Sequence, residues 1–223
     1  MSLTSTSVIA LKAQFIAPSY RVPLSLGLMA ALDVRRVMQL LAPVLSTEDG
    51  VALRLTRTDS PCDARILCET AKRPGEAFHS LWQERFIVAI PEGHPLGLKP
   101  EILVPDLATV PLVAREYCSN ELFEGARRLG LKLEVAASAL SEDWALALVE
   151  AGVGIAILPE SYVKPQHRIV VRQFANLEVH RSVGIAYDPL LLQREPGEGL
   201  RRLLAAVNGG QTPSVSGKRS KAD

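Results

Sequence analysis

Arg115, Cys118, Ser141 and Trp144 are the residues whose types and settings could do chemistry in this chain. Arg115 closes the apolar run Val110 to Ala114. Its planar guanidinium suits an anionic ligand gripped through parallel N–H bonds. An ion pair with a nearby carboxylate, such as Glu116 or Glu121, is the competing use. Cys118 stands just before Ser119, a predicted N-cap, where a helix N-terminus favours the thiolate. Ser141 reads most simply as the N-cap of the helix carrying Trp144, and an indole there is more often core than ligand platform. His94, in Gly93-His94-Pro95-Leu96, has no Cys, Asp or second His at a ligand spacing and reads as a turn. His79, His167 and His180 are scattered. The chain has no Gly-x-Ser-x-Gly elbow, no P-loop, no HExxH and no dinucleotide fingerprint. Gly152-Val153-Gly154 opens a strand after a helix, the reverse of the dinucleotide order. The expectation is a non-enzyme with no metal and no cofactor.

These residues need elements to hold them. Leu24, Leu26 and Leu28 alternate with Ser25 and Gly27, which predicts a strand. After Asp33, a good N-cap, Val34, Val37, Met38, Leu41, Val44 and Leu45 recur at helical spacing. Val51, Leu53 and Leu55 predict a second strand and Ala64 to Cys68 a third. Only Thr58 to Cys62 separates those two, although a parallel crossover normally needs a dozen or more residues. Either these strands are not parallel neighbours, or a crossover helix is missing. Phe86 to Ile90, Val110 to Ala114, Leu133 to Ala137, Val153 to Leu158, Ile169 to Val171 and Arg181 to Tyr187 are further strands. One helix carries Leu122, Phe123, Ala126 and Leu129 and stops at Gly130. Another runs from Ser141 to Gly152, and a last one carries Leu200, Leu203, Leu204 and Val207. Strands alternating with helices define an α/β protein.

The bulk numbers narrow the class. The 223 residues suffice for one large domain or two small lobes with real cores. Twenty-five basic against 24 acidic residues leave a net charge of +1, without the basic excess of a self-sufficient DNA-binding domain. Aromatic residues make up 5%, too few for single-strand stacking platforms. Three cysteines, Cys62, Cys68 and Cys118, lack metal-ligand spacing and read as reduced thiols. The N-terminus does not resemble a secretory signal and no apolar run spans a bilayer. A cytoplasmic protein without membrane attachment is expected.

The order of motifs resembles the C-terminal effector-binding domain of LysR-type transcriptional regulators. The resemblance runs from about Pro23 to about Val207. Its parts are Glu84 to Leu96, Asp106-Leu107, Val113 to Cys118, and Glu142-Asp143-Trp144 through Leu158-Pro159; each is weak alone, and their order and spacing carry the likeness. It implies a two-lobed, type 2 periplasmic-binding-protein-like fold, each lobe a mostly parallel sheet flanked by helices, joined by two crossover strands. Lobe one would be 21–85 with 189–208 and lobe two 86–188. Residues 1–20 would form an arm or linker-helix remnant, and 209–223 a disordered tail.

The resemblance also implies the site. Met29, Ala30, Ala31 and Leu32 would form the first effector-contacting loop, with backbone N–H groups at a helix N-terminus suited to a carboxylate. Relatives often place a hydroxyl there; Ala30 and Ala31 turn the site toward a less polar ligand or none. Thr58 sits where relatives begin another pocket helix. Arg115, Tyr117, Cys118, Ser141 and Trp144 would line the second lobe. Cys118 matches the reactive cysteine of the peroxide-sensing branch, but Arg127 stands near the resolving position, which argues against a disulfide switch. The expected function is small-molecule sensing by a homodimer or homotetramer, reaching DNA only through a helix-turn-helix that this chain lacks, either as an excised domain or a truncated relative. The alternatives are a non-sensing dimerisation module and a freestanding solute-binding protein.

Overall fold

A computed structural model describes residues 21–45, 50–115, 120–165, 168–175, 179–194 and 197–210. Tyr117, Cys118, the predicted cap Ser119, the 1–20 arm, His167 and the tail after 210 lie outside the described residues.

Strand β1 (Val22–Leu28) is followed by α1 (Val34–Leu45), β2 (Val51–Arg57) and β3 (Ala64–Cys68). Asp33 caps α1 as expected, its Oδ1 accepting from the Arg35 backbone N–H at 2.9 Å. Strands β2 and β3 pair in parallel with opposite edges of β1, so they are not neighbours and need no crossover helix between them. The link after β2 passes over the end of β1 instead. On β1, strand β3 pairs with Leu26 to Leu28 alone, and its other edge pairs with the last strand, residues 180–187. Asp63 fastens the link, its Oδ2 accepting from the Ser25 backbone N–H at 2.6 Å and from its hydroxyl at 2.9 Å. Gly27 lies directly beneath, where a Cβ would approach the Thr58 Cα at 3.1 Å and the Cys62 sulfur at 3.0 Å.

The long strand β4 (Ala77–Pro91) is the axis of the molecule. Its first half pairs antiparallel with β10 (His180–Tyr187). Its second half pairs antiparallel with β8 (Ala156–Pro159) and β9 (Ile169–Phe174). The short β5 (Glu101–Ile102) joins β9 in parallel. Strands β6 (Pro111–Arg115) and β7 (Glu134–Ala139) form a separate parallel pair. The order of the main sheet is β2-β1-β3-β10-β4-β9-β5, with β8 beside β4. The sheets are thus mixed, and every antiparallel pairing involves β4 or β10.

Helices α2 (Asn120–Arg128), α3 (Glu142–Glu150) and α4 (Glu198–Gly210) complete the fold. Gly130 and Gly152 end α2 and α3 at φ +72° and +76°, a region that glycine enters without strain. One core gathers Leu24, Leu26, Leu41, Ile66, Ile185 and Leu203 from β1, α1, β3, β10 and α4. Two others, around Ile87, Val149 and Leu158 and around Ile90, Leu107 and Ile155, lie in the chain between Phe86 and Phe174. Val183 and Ile185 of β10 pack in the first core, with residues from the two ends of the chain.

Candidate functional site

Charged residues converge where β4 and β10 pass between the cores. Four of them are Glu84 on β4, Arg115 at the end of β6, Glu142 in the first turn of α3 and Arg181 on β10; all four side chains are buried. Arg115 Nη1 donates to Glu142 Oε1 at 2.5 Å. The same oxygen lies 3.6 Å from Arg181 Nη2. Arg181 Nε donates to Glu84 Oε2, and its Nη2 donates to the Ala31 carbonyl at 2.8 Å. The Glu84 Oε1 accepts from the Trp82 indole N–H at 3.0 Å, and the Arg36 guanidinium lies 4.6 Å from the Trp82 ring centroid. Phe86 presents its ring to both inner guanidiniums, with Arg115 and Arg181 each 5.3 Å from the centroid.

The pairing follows from burial. A guanidinium out of water needs a partner, and two of them beside one ring need two carboxylates. Burial pushes the Glu142 carboxyl above its ordinary 4.5, outweighing the Arg115 and Arg181 charges that act the other way. Tyr162, in the turn after β8, borders the cluster; burial first, then the charges of Glu142, Asp33 and Glu84, raise its phenol.

The ten expected site residues are brought together only in part. Ala31 and Arg115 belong to the cluster, and Ser141 adjoins it as the N-cap of α3, its Oγ accepting from the Trp144 N–H at 3.4 Å. Ala30 is exposed beside Ala31. Leu32 is buried in the first core and Met29 packs against it, its sulfur 3.6 Å from that of Cys68. Thr58 serves the link, its carbonyl accepting from Arg73 Nη2 at 3.2 Å. Trp144 is 64% exposed, not core. Helix α3 buries Glu142, Ala145, Leu146 and Val149, a stripe at i, i+3, i+4 and i+7 that leaves position 144 outside. Arg115 makes a buried ion pair with Glu142, 27 residues away; Glu116 and the side chain of Glu121 lie outside what is described. His94 is a turn residue, its Nδ1 accepting from the Leu96 N–H at 3.2 Å. Cys62 is a half-buried free cysteine, and the buried Cys68 forms no disulfide.

Glu84, Phe86, Glu142, Tyr162 and Arg181 were not among the expected site residues. Their signal is a charge at the edge of an apolar run: Glu84 before Phe86 to Ile90, and Arg181 before Val183 to Ala186. Among the described residues no group of His, Cys, Asp or Glu could hold a metal, and no helix is long and apolar enough to cross a membrane.

Two α/β units joined through β4 and β10, with a polar cluster between them, define a type 2 periplasmic-binding-protein-like fold of the effector-binding class. Residues 20–209 match the LysR substrate binding domain, and the chain belongs to that family. A probable hydrogen peroxide-inducible genes activator of Mycobacterium avium is 25% identical over 184 residues, covering 75% of this chain and 59% of that protein. The chain therefore spans less than two thirds of that relative's length. The effector binding domain of QuiR, solved in complex with shikimate, superposes with a TM-score of 0.70 at 13% identity, covering 84% of this chain and 96% of that one. The C-terminal domain of a probable LysR family transcriptional regulator from Rhodococcus sp. RHA1 does so at 0.70 and 19% identity, covering 83% and 98%.

Proposed function

We propose that this chain senses a small molecule between its two lobes, about 21–85 with 189–208 and 86–188, on behalf of a cytoplasmic LysR-type regulator. The observation that carries the reading is the buried cluster of Glu84, Arg115, Glu142 and Arg181. It joins the Ala31 loop of one unit to β6 and α3 of the other. A molecule entering there must rearrange contacts that hold the units together, and it acts by binding one arrangement better than another. The output is a changed geometry of a homodimer or homotetramer, passed to DNA by a helix-turn-helix elsewhere in the regulator. Ala30, Ala31, Arg115, Ser141 and Trp144 are the expected contacts, with Tyr117 and Cys118 beside Arg115 in sequence. Catalysis forms no part of the reading.

The test is a thermal-shift screen of small polyols, amino acids, neutral aromatics and monocarboxylates on the wild type, Arg115→Ala and Trp144→Ala. Ligands that bind only the folded state raise its melting temperature. One class should stabilise the wild type and lose its effect in at least one variant. If nothing stabilises the domain while sedimentation still shows a dimer, it is an interaction module and sensing is wrong. A hit indifferent to both substitutions would place the ligand elsewhere.

A further inference from the structure

We propose that Glu142 is the resident occupant of an anion subsite in the cluster between the two units, and that it makes the domain select against acidic effectors. The proposal rests on the reading of this cluster as the effector site. Arg115 and Arg181 keep only 6% and 8% of their side chains exposed, and both face the same Phe86 ring. Two buried guanidiniums beside one ring, next to the N-terminus of α3, make a place that attracts an anion. Here the anion comes from the chain. Glu142 Oε1 accepts from Arg115 and lies 3.6 Å from Arg181, while Glu84 takes the Nε of Arg181.

The charge count decides the specificity. Two arginines face two carboxylates, so this part of the cluster is balanced before any ligand arrives. An entering carboxylate would add an uncompensated negative charge in a region that water does not reach. It would also have to displace Glu142 from Arg115 and leave that side chain, 1% exposed, without its partner. Leaving a buried charge unpaired is the costlier outcome. A neutral polar ligand faces neither penalty and can bond at the cluster's edges, at Ser141, the Ala31 loop and the Tyr162 hydroxyl.

Removing the resident carboxylate should expose the subsite. In Glu142→Ala the space and the surplus positive charge remain together, so formate or acetate can take the place of the missing carboxyl. Titrations of wild type, Glu142→Ala and Glu142→Ala/Arg115→Met with sodium acetate and formate would be followed by calorimetry and thermal shift, against sodium chloride at equal ionic strength. The expected result is no saturable response in the wild type. Glu142→Ala should bind at least about tenfold tighter, the scale of a charge-assisted hydrogen bond, and the double variant should lose the gain. Glu142→Gln, which keeps the volume filled, should gain nothing.

Should Glu142→Ala be unfolded in chloride, its circular dichroism must recover in acetate; failure to recover overturns the proposal. So does a wild type that binds acetate as tightly as the variant, or a folded Glu142→Ala that binds no carboxylate. If no effector of any class binds the wild type, the sensing reading falls, and the acetate gain in Glu142→Ala still decides what Glu142 does.

Discussion

Arg181 Nη2 donates to the Ala31 carbonyl at 2.8 Å, a hydrogen bond between residues 150 positions apart. Through its Nε the same guanidinium holds Glu84. One side chain on a strand between the cores thus fixes the entry to α1 and neutralises a buried carboxylate. Replacing it with an apolar residue of similar length leaves Glu84 buried and uncompensated. Arg181→Met should cost about 3–5 kcal/mol in urea unfolding. Arg181→Met/Glu84→Gln should recover part of that loss. A cost below about 1 kcal/mol for Arg181→Met would mean that the cluster contributes little to the fold.

The pH dependence of stability has two opposed parts. Burial raises the Glu142 carboxyl above 4.5, so the folded state holds that proton more tightly than the unfolded one. Its contribution is fully present below 4.5 and is lost as pH rises through the raised value. Asp106 is the reverse case. The Lys99 ammonium, 2.6 Å away, and the Leu103 N–H hold it below 3.8, so its contribution is present above 3.8 and is lost as pH falls through the lowered value. Above pH 4.5, as the carboxyl passes through its raised value, the wild type should lose stability relative to Glu142→Gln. Toward about pH 3 it should lose stability relative to Asp106→Asn. Unfolding free energies of the three proteins at these values check both signs; parallel profiles would remove both groups from the account.

The strands and helices that bury one clean face were legible in the sequence. The alternation of Leu24, Leu26 and Leu28 and the Ser141-to-Gly152 helix depend only on local pattern and caps. The first half of β4 was not legible. Phe78, Ser80 and Trp82 alternate with His79, Leu81 and Gln83 without an apolar side, because neither face is fully buried and only Leu81 and Trp82 pack, half-buried, against the first core. The cluster was hidden for another reason. Glu84 and Arg181 are 97 residues apart, and a charge whose partner is that distant looks like any solvated surface residue. Arg115 was found because it ends an apolar run. Its partner Glu142 passed as an ordinary acidic residue in a first helical turn, where the helix dipole favours such a charge anyway.

The direct passage from β2 to β3 depends on a small anchor. Asp63 accepts from both the Ser25 backbone N–H and its hydroxyl, and the link lies over Gly27. Asp63→Ala should cost about 1–3 kcal/mol by leaving those donors short of their acceptor. Gly27→Ala should cost a similar amount, about 1–3 kcal/mol, by pushing the link outward. Hydrogen exchange should show faster exchange in residues 58–63 in both variants, with α3 and β8 unchanged. Unchanged exchange in the link would show that these contacts do not hold it.

The chain has two tryptophans, and their settings differ. Trp144 is 64% exposed on the first turn of α3, whereas the half-buried Trp82 is fixed between Arg36 and Glu84. Acrylamide should therefore quench mainly Trp144, and Trp144→Phe should remove most of the quenchable emission. Its stability should stay within about 0.5 kcal/mol of the wild type, as for surface substitutions away from the core. If ligands enter beside α3, an effector should protect Trp144 from acrylamide, and the protection should vanish in Trp144→Phe. Protection that survives in Trp144→Phe would move the responding residue to Trp82, and with it the binding event toward the β4 side of the cluster.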